Sequence, residues 1–394
     1  MEKKHISWIE LSKSAFNHNI TLLRKIIGAT VNLAIVIKGN AYGHGTAAIA
    51  QLCQENSNVD WLCTVSLSEA VFIRELKVTK PIIVLSFIDT NPIDAIHHNI
   101  DLMIQDMATL KMVHDHAQAI SKSINIHIKI DTGMSRLGFT PAEFLANIHT
   151  ILALPYIKIR GISSHFAESN NPASDFTPQQ LQEFNALLEE LKRQNVEIPL
   201  HHIANSAATI STPAAHGNFV RIGGAAYGLL PKINNYSFIP VATWKTTISF
   251  IRTIAANEHV GYDRTYTTAQ ETKIGILPVG YYHGYHRNLS NIGSVLIATA
   301  DGQQHYAPIV GRICMNHTLI DVTHIENIQI GDVAALLGAQ EKIHPLTIAT
   351  LIKSYNPREA VTTINQTIER IISPEETDAA TSIQQREKVA EQIV

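Results

Sequence analysis

Asn32-Leu-Ala-Ile-Val-Ile-Lys-Gly-Asn-Ala-Tyr-Gly-His-Gly45 decides the reading of the fold. Its first six residues form a short apolar run suited to a buried strand, and a lysine and three glycines follow at the C-terminal end of that run. Seven further apolar runs occur at 61–65, 81–86, 101–104, 126–130, 157–162, 198–203 and 219–222. Stretches with helical periodicity separate them. In 12–27, Ser12 is placed to cap, Phe16, Ile20, Leu23 and Ile27 share one face, and Gly28 can end the helix. Another stretch runs from Ser66 or Ser68 through Val71 and Leu76. A third runs from Thr177 through Phe184 and Leu191, with Pro178 in its first turn. Strands alternating with helices imply parallel pairing, because parallel neighbours need long crossovers. Eight such units in about 230 residues match the size of a (β/α)8 barrel. An open doubly wound sheet competes, but no G-x-G-x-x-G opens the first helix.

After about Pro231 the texture changes. The runs 242–253, 273–277, 294–300, 305–310 and 318–322 are short and β-rich, and turn signals such as Asp301-Gly302 and Gly331-Asp332 separate them. The expected organisation is therefore α/β: an N-terminal TIM-like (β/α)8 barrel over 1–240, a mostly-β C-terminal domain over 241–375, and a polar tail over 376–394.

The 394-residue chain is 45% hydrophobic and 16% charged, which supplies a large core and excludes wholesale disorder. A net charge of -3 leaves no general basic footprint, so no nucleic-acid partner is expected. No window reaches the roughly 18 apolar residues of a membrane span, so no membrane partner is expected either. Residues 1–10 carry no long apolar segment. Cys53, Cys63 and Cys314 form an odd, sparse set without a C-x-x-C, which fits a reducing compartment and suggests neither a disulfide framework nor a metal site. A cytoplasmic location follows as the expectation.

Lys38 is the first candidate for chemistry. In a barrel, the C-terminal ends of the strands face the active site. A lone lysine there ordinarily reaches to water, but burial disfavours its ammonium form and makes a nucleophilic amine. Gly39, Gly43 and Gly45 around it suggest backbone closely approaching a ligand.

Ile37-Lys38-Gly39-Asn40-Ala41-Tyr42-Gly43-His44-Gly45 closely resembles the signature of bacterial alanine racemases, in which the lysine carries pyridoxal phosphate (PLP). The likeness recurs in Lys129-Ile-Asp-Thr-Gly-Met-Ser-Arg-Leu-Gly138, Ser164-His-Phe-Ala167, His202-Ile-Ala-Asn-Ser-Ala207 and Val220-Arg-Ile-Gly-Gly224 with Tyr227-Gly-Leu229. It continues in Val260-Gly-Tyr-Asp-Arg-Thr-Tyr266, Leu277-Pro-Val-Gly-Tyr281 and Gly311-Arg-Ile-Cys-Met315.

The resemblance implies a PLP-dependent racemase interconverting L- and D-alanine, an isomerase serving D-alanine and peptidoglycan precursor supply. Racemisation needs acid/base groups on opposite faces of one carbon. By resemblance these are Lys38 for the D-face and Tyr262 for the L-face, the tyrosine being lent to the partner subunit of a homodimer. Arg136 and His165 match the groups beside that tyrosine, and cations near a phenol favour its ionised form. Arg221 matches an arginine at the pyridine nitrogen, where most PLP enzymes place a carboxylate. Tyr42, Asn205, Ser206, Gly223 and Gly224 match the cofactor-binding set. Met315 and Arg136 match substrate contacts, and Lys129 matches a lysine that is often carbamylated.

The chain departs from the family pattern at several positions. Gly39 stands for the usual Ala, Gly224 for a bulkier apolar residue, Asn316 for Asp and His283 for Asp. In Thr363-Ile-Asn-Gln-Thr367, Gln366 stands where the family has a tyrosine at the substrate's side chain, although Tyr355 could fill the same space. An amide can hydrogen-bond a substrate hydroxyl, so serine or broader specificity is an alternative. A PLP decarboxylase of similar architecture should place an acid at the pyridine nitrogen, against Arg221. A non-catalytic PLP-binding protein would not need Tyr262 with Arg136.

Overall fold

The computed structural model describes residues 6–373; the tail expected over 376–394 lies outside them. The chain divides into two compact units. One comprises residues 20–41 and 49–226, and the other gathers the N-terminal strand, residues 42–48 and the chain from Tyr227 onward. That N-terminal strand, β1 (Ser7–Ser12), is taken up with the second unit below.

The first unit holds eight strands: β2 (Asn32–Val36), β3 (Trp61–Ser66), β4 (Ile82–Phe87), β5 (Ile100–Ile104), β6 (Ile124–Lys129), β7 (Ile157–Ser163), β8 (Leu200–His202) and β9 (Phe219–Ile222). Each pairs in parallel with the next as far as β8, and β9 returns beside β2, with Val220 opposite Leu33. The ring closes where Arg221 N–H, on β9, donates to the Ala204 carbonyl just beyond β8, at 3.1 Å. All eight expected runs are strands. Their continuous Val, Ile and Leu content follows from burial on both faces, and Leu33, Ala34, Ile35, Ile83, Leu102 and Ile128 are fully enclosed. The crossover helices start on local signals. Ser66 caps Leu67–Glu75, Asp106 caps Met107–Ala119, and a reciprocal Thr140–Glu143 pair caps Pro141–Leu152.

The second unit is built on a six-stranded sheet. In addition to β1 it contains β10 (Ala242–Thr247), β11 (Phe250–Ile254), β12 (His259–Val260), β13 (Tyr266–Thr267) and β14 (Thr272–Leu277). β15 (Ser294–Ala298), β16 (Gln304–Pro308), β17 (Thr318–Asp321), β18 (Val333–Leu337) and β19 (Glu369–Ser373) complete it. The order in the large sheet is β16-β15-β18-β10-β1-β19, while β11-β14-β17 and β12-β13 form smaller sheets. The run 242–253 is therefore two strands in different sheets, broken at Ile248–Ser249. β1 lies between β10 and β19 with Ile9 and Leu11 buried, so the first described strand is an inner strand of the second unit.

Candidate active site

Lys38 follows directly on β2, as a lysine at the mouth of the barrel should. The backbone then turns left-handed through four successive residues: Gly39 (φ 61°), Asn40 (φ 53°), Ala41 (φ 51°) and Tyr42 (φ 55°). For residues with a Cβ this costs about 1–2 kcal/mol each. Such strain persists only where the surroundings over-determine it, and functional sites are where it concentrates. Glu69 supplies part of the restraint within the barrel unit: its Oε1 accepts from Gly39 N–H at 2.9 Å and its Oε2 from Val65 N–H at 2.9 Å. Within the second unit, Arg370 donates through Nε and Nη2 to the Gly43 carbonyl, at 3.2 and 3.0 Å, and also to carbonyls of residues 364, 365 and 368. A Cβ at Gly43 would stand 2.3 Å from the Val361 carbonyl oxygen, so only glycine permits this approach. A Cβ at Gly39 would meet nothing within 4 Å, so the departure from alanine there spares backbone strain and not space.

The barrel end is strongly cationic. Burial pulls the Lys38 ammonium below its ordinary range, and the Arg136 guanidinium adds to this while Glu69 opposes it. Lys129, ending β6, is drawn down to about 7 by burial, with Arg221 and Arg136 reinforcing and Asp131 opposing. His165 is held well below its usual range by burial and by Arg221, Lys129, Arg136 and Lys38, so its ring stays neutral. Arg221, on β9, is 6% exposed. Burial lowers it to about 10, and it remains a cation.

Arg221 makes no carboxylate contact among the described residues. Its Nη1 donates to the His202 carbonyl at 2.9 Å and to His202 Nδ1; its Nη2 donates to the Ser164 carbonyl at 2.6 Å and lies 3.3 Å from His165 Nδ1. Nearby, the buried Ser206 hydroxyl accepts from the N–H groups of Gly223 and Ala225 at 3.0 and 3.3 Å. Asn205 caps the turn that starts there, accepting from Ala208 N–H at 3.1 Å and from Ser169 Oγ at 2.9 Å. Gly224 is buried beside them. Arg136 itself lies exposed in the loop after β6.

Tyr42 belongs to the second unit, where its ring lies 5.2 Å from that of Tyr227, and His44 stacks on the same Tyr227 at 4.5 Å. Tyr262 begins a single turn (Tyr262–Arg264) and is 67% exposed. The turn is braced by the Asp263–Arg312 ion pair at 2.6 Å. Met315 is also exposed, and its carbonyl accepts from Tyr282 N–H at 3.0 Å. Tyr281 and Tyr282 are exposed as well, so the Gly280–Tyr282 and Cys314–Met315 segments present apolar side chains to solvent together. Of the departing positions, Asn316 is exposed, His283 Nδ1 accepts from Gly280 N–H at 3.1 Å, Gln366 is exposed on the turn before β19, and Tyr355 is exposed. Glu69 and Arg370 lie outside the motifs that carry the family resemblance. A first-turn glutamate after a capping serine was a visible signal for Glu69, but no local pattern marked Arg370.

Residues 11–231 match the alanine racemase N-terminal domain family and residues 241–372 match the alanine racemase C-terminal domain family. The chain is 35% identical to an alanine racemase of Methanococcus maripaludis over 85% of its own length and 89% of the relative's. It is also 35% identical to one of Clostridium perfringens over 84% and 86%. Among solved structures, alanine racemase from Streptomyces lavendulae superposes with a TM-score of 0.87 at 28% identity, covering 96% of this chain and all of that one. The Bacillus anthracis alanine racemase with bound L-Ala-P gives 0.85 at 27% identity, covering 95% and 97%.

Proposed function

Because the chain belongs to the alanine racemase family, we propose that it interconverts L- and D-alanine with PLP as its cofactor, Lys38 and Tyr262 acting as the two proton-handling groups. The observation that carries the reading is a desolvated lysine at the barrel mouth, in a field of Arg136, Arg221 and Lys129. That field suits an anionic, aldehyde-bearing cofactor. Lys38 supplies the amine to hold it. Tyr42, Asn205, the Ser206 hydroxyl and the backbone at Gly223 and Gly224 are the groups for its phosphate, and Arg221 is the group for its ring nitrogen.

When bound, PLP spreads the negative charge left on the substrate's α-carbon. Arg221 stays protonated and can only donate, so it would hold the ring nitrogen unprotonated, which limits charge delocalisation there and disfavours transamination. Lys38 takes or returns the α-proton on one face, and Tyr262 does so on the other. The neutral His165 ring and Arg136 orient and polarise that phenol, Arg136 also receives the substrate carboxylate, and the Met315 amide completes the carboxylate site. Lys129, poised near neutrality, is chemically competent to form a carbamate, which would become an anion beside Arg136.

A 67% exposed Tyr262 fits a homodimer in which each protomer lends this tyrosine to its partner's barrel. The unpaired cysteines fit a cytoplasmic setting. Among the described residues no helix is long and apolar enough to cross a membrane. The deciding experiment measures L-to-D conversion across a panel of amino acids. Alanine should convert fastest, and Tyr262→Phe should lower conversion by about 10^3-fold while retaining the cofactor's visible absorbance. Near-wild-type conversion by Tyr262→Phe would overturn the two-base assignment.

A further inference from the structure

Arg221 ends a line of four buried side chains that crosses the barrel interior. On β8, His202 accepts from Arg221 through Nδ1, and its Nε2 lies 2.9 Å from Nδ1 of His127 on β6. His127 Nε2 in turn lies 3.2 Å from Oδ2 of Asp101 on β5. All four residues are at most 6% exposed. The path from β6 to β8 passes over Gly161 of β7, where a Cβ would stand 2.1 Å from His127 Nδ1. The register therefore needs glycine at that position.

The ends of the line determine its interior. A guanidinium only donates, so His202 Nδ1 must be the acceptor and His202 carries its proton on Nε2. That proton points at His127 Nδ1, which places the His127 proton on Nε2, directed at Asp101. A carboxylate only accepts, so it terminates the chain. One arrangement of protons satisfies all three bonds. Turning either ring's tautomer sets two buried N–H groups against each other, leaving donors unsatisfied. Both rings are neutral, as the line requires, because burial holds His202 well below and His127 below the ordinary imidazole range. Asp101 is itself fixed by Arg160 Nη1 at 3.2 Å and Asn125 Nδ2 at 3.2 Å, and Arg160 lies 4.4 Å over the Trp61 ring.

On the Arg221 side, both Nη groups are committed to carbonyls and ring nitrogens, so the donor these bonds do not use is Nε–H. We propose that Asp101 is a positioning residue for Arg221. Through His127 and His202 it sets the direction of every proton in the line, and so keeps the guanidinium turned with Nε–H available to the cofactor's ring nitrogen. The inference rests on the racemase reading above. It adds a buried anion, three hydrogen bonds away, that balances the Arg221 cation without touching it.

The test uses the full-length protein labelled with 15N-histidine. In wild type, His202 and His127 should both report the Nε2–H tautomer across the neutral range. Asp101→Leu, which removes the terminal acceptor, should give a mixed His127 tautomer. It should also lower kcat roughly 10-fold, as loss of an outer-shell partner does, with KM nearly unchanged. Asp101→Asn, still able to accept through Oδ1, should recover part of that loss. Arg160→Gln, which removes the outer ion pair and the contact over Trp61 but leaves the line of hydrogen bonds intact, should leave tautomers and kcat as in wild type. An Nδ1–H tautomer at either histidine in wild type overturns the proposal, whether or not Asp101→Leu folds. So does an Arg160→Gln variant that reproduces the Asp101→Leu loss, or an Asp101→Leu variant with wild-type kcat. Absence of L-to-D conversion in wild type with both expected tautomers present would instead overturn the racemase reading.

Discussion

Lys38 and Tyr262, the two groups proposed to carry the proton transfer, differ in their surroundings at every level. Lys38 follows a strand buried on both faces, and the restraint on Gly39 comes from Glu69 within the same unit. Its proton affinity is shifted by burial and by Arg136. Tyr262 sits on a one-turn loop at 67% exposure, and its turn is held by an ion pair between the exposed Asp263 and the half-buried Arg312. The barrel thus buries its amine among its own residues, whereas the β unit presents its phenol on the surface. The contrast is what the proposed homodimer predicts: a buried amine that stays within its own barrel, and an exposed phenol that would be completed by a second copy of the chain.

The largest effect expected is from Lys38→Ala, which removes both the cofactor's attachment and one base. It should lower kcat by about 10^4-fold, measured as D-alanine formed, and abolish the visible cofactor band. Tyr262→Phe should lower kcat by about 10^3-fold and leave that band intact. Mixing the two inactive proteins breaks or sharpens the contrast directly. If each site draws Lys38 from one chain and Tyr262 from the other, random dimers should regain about one quarter of wild-type activity, because heterodimers hold one intact site. A mixture that stays inactive would place both groups in the same protomer.

A smaller effect concerns Lys129, whose value of about 7 in the fold lies below its ordinary 10.5. Between those values the unfolded chain binds a proton that the folded chain does not. Stability from this group is therefore complete above 10.5, rises with pH across the window and is lost as pH falls toward 7. Lys129→Met should flatten the rise in melting temperature between about pH 7 and about pH 9; an unchanged slope would show that the lysine is solvated. The smallest effect expected is at Gln366, exposed in the single chain. Gln366→Tyr should lower kcat/KM for L-serine relative to L-alanine by about 3-fold, the scale of one weak neutral hydrogen bond. An equal ratio in both proteins would remove Gln366 from the specificity set.

The barrel was legible because a parallel strand buried on both faces must be apolar along its whole length, and all eight such runs appear in the chain. The second unit was less so. β1 carries little local signal, because Ser-Trp-Ile-Glu-Leu-Ser alternates over only six residues, and its place between β10 and β19 depends on partners more than 200 residues away. The run 242–253 looks continuous in sequence because a switch between sheets at Ile248–Ser249 leaves no compositional mark.

Residue types, and the order in which the motifs occur, were determined by the sequence alone: a strand-end lysine, an arginine on the last barrel strand, a tyrosine far downstream. Their proton affinities and the directions of their hydrogen bonds were decided only by the tertiary structure. Desolvation depends on everything packed around a group. The single proton arrangement linking Asp101 to Arg221 exists because four strands, distant in the chain, bring donor-only and acceptor-only groups to the two ends of one buried line.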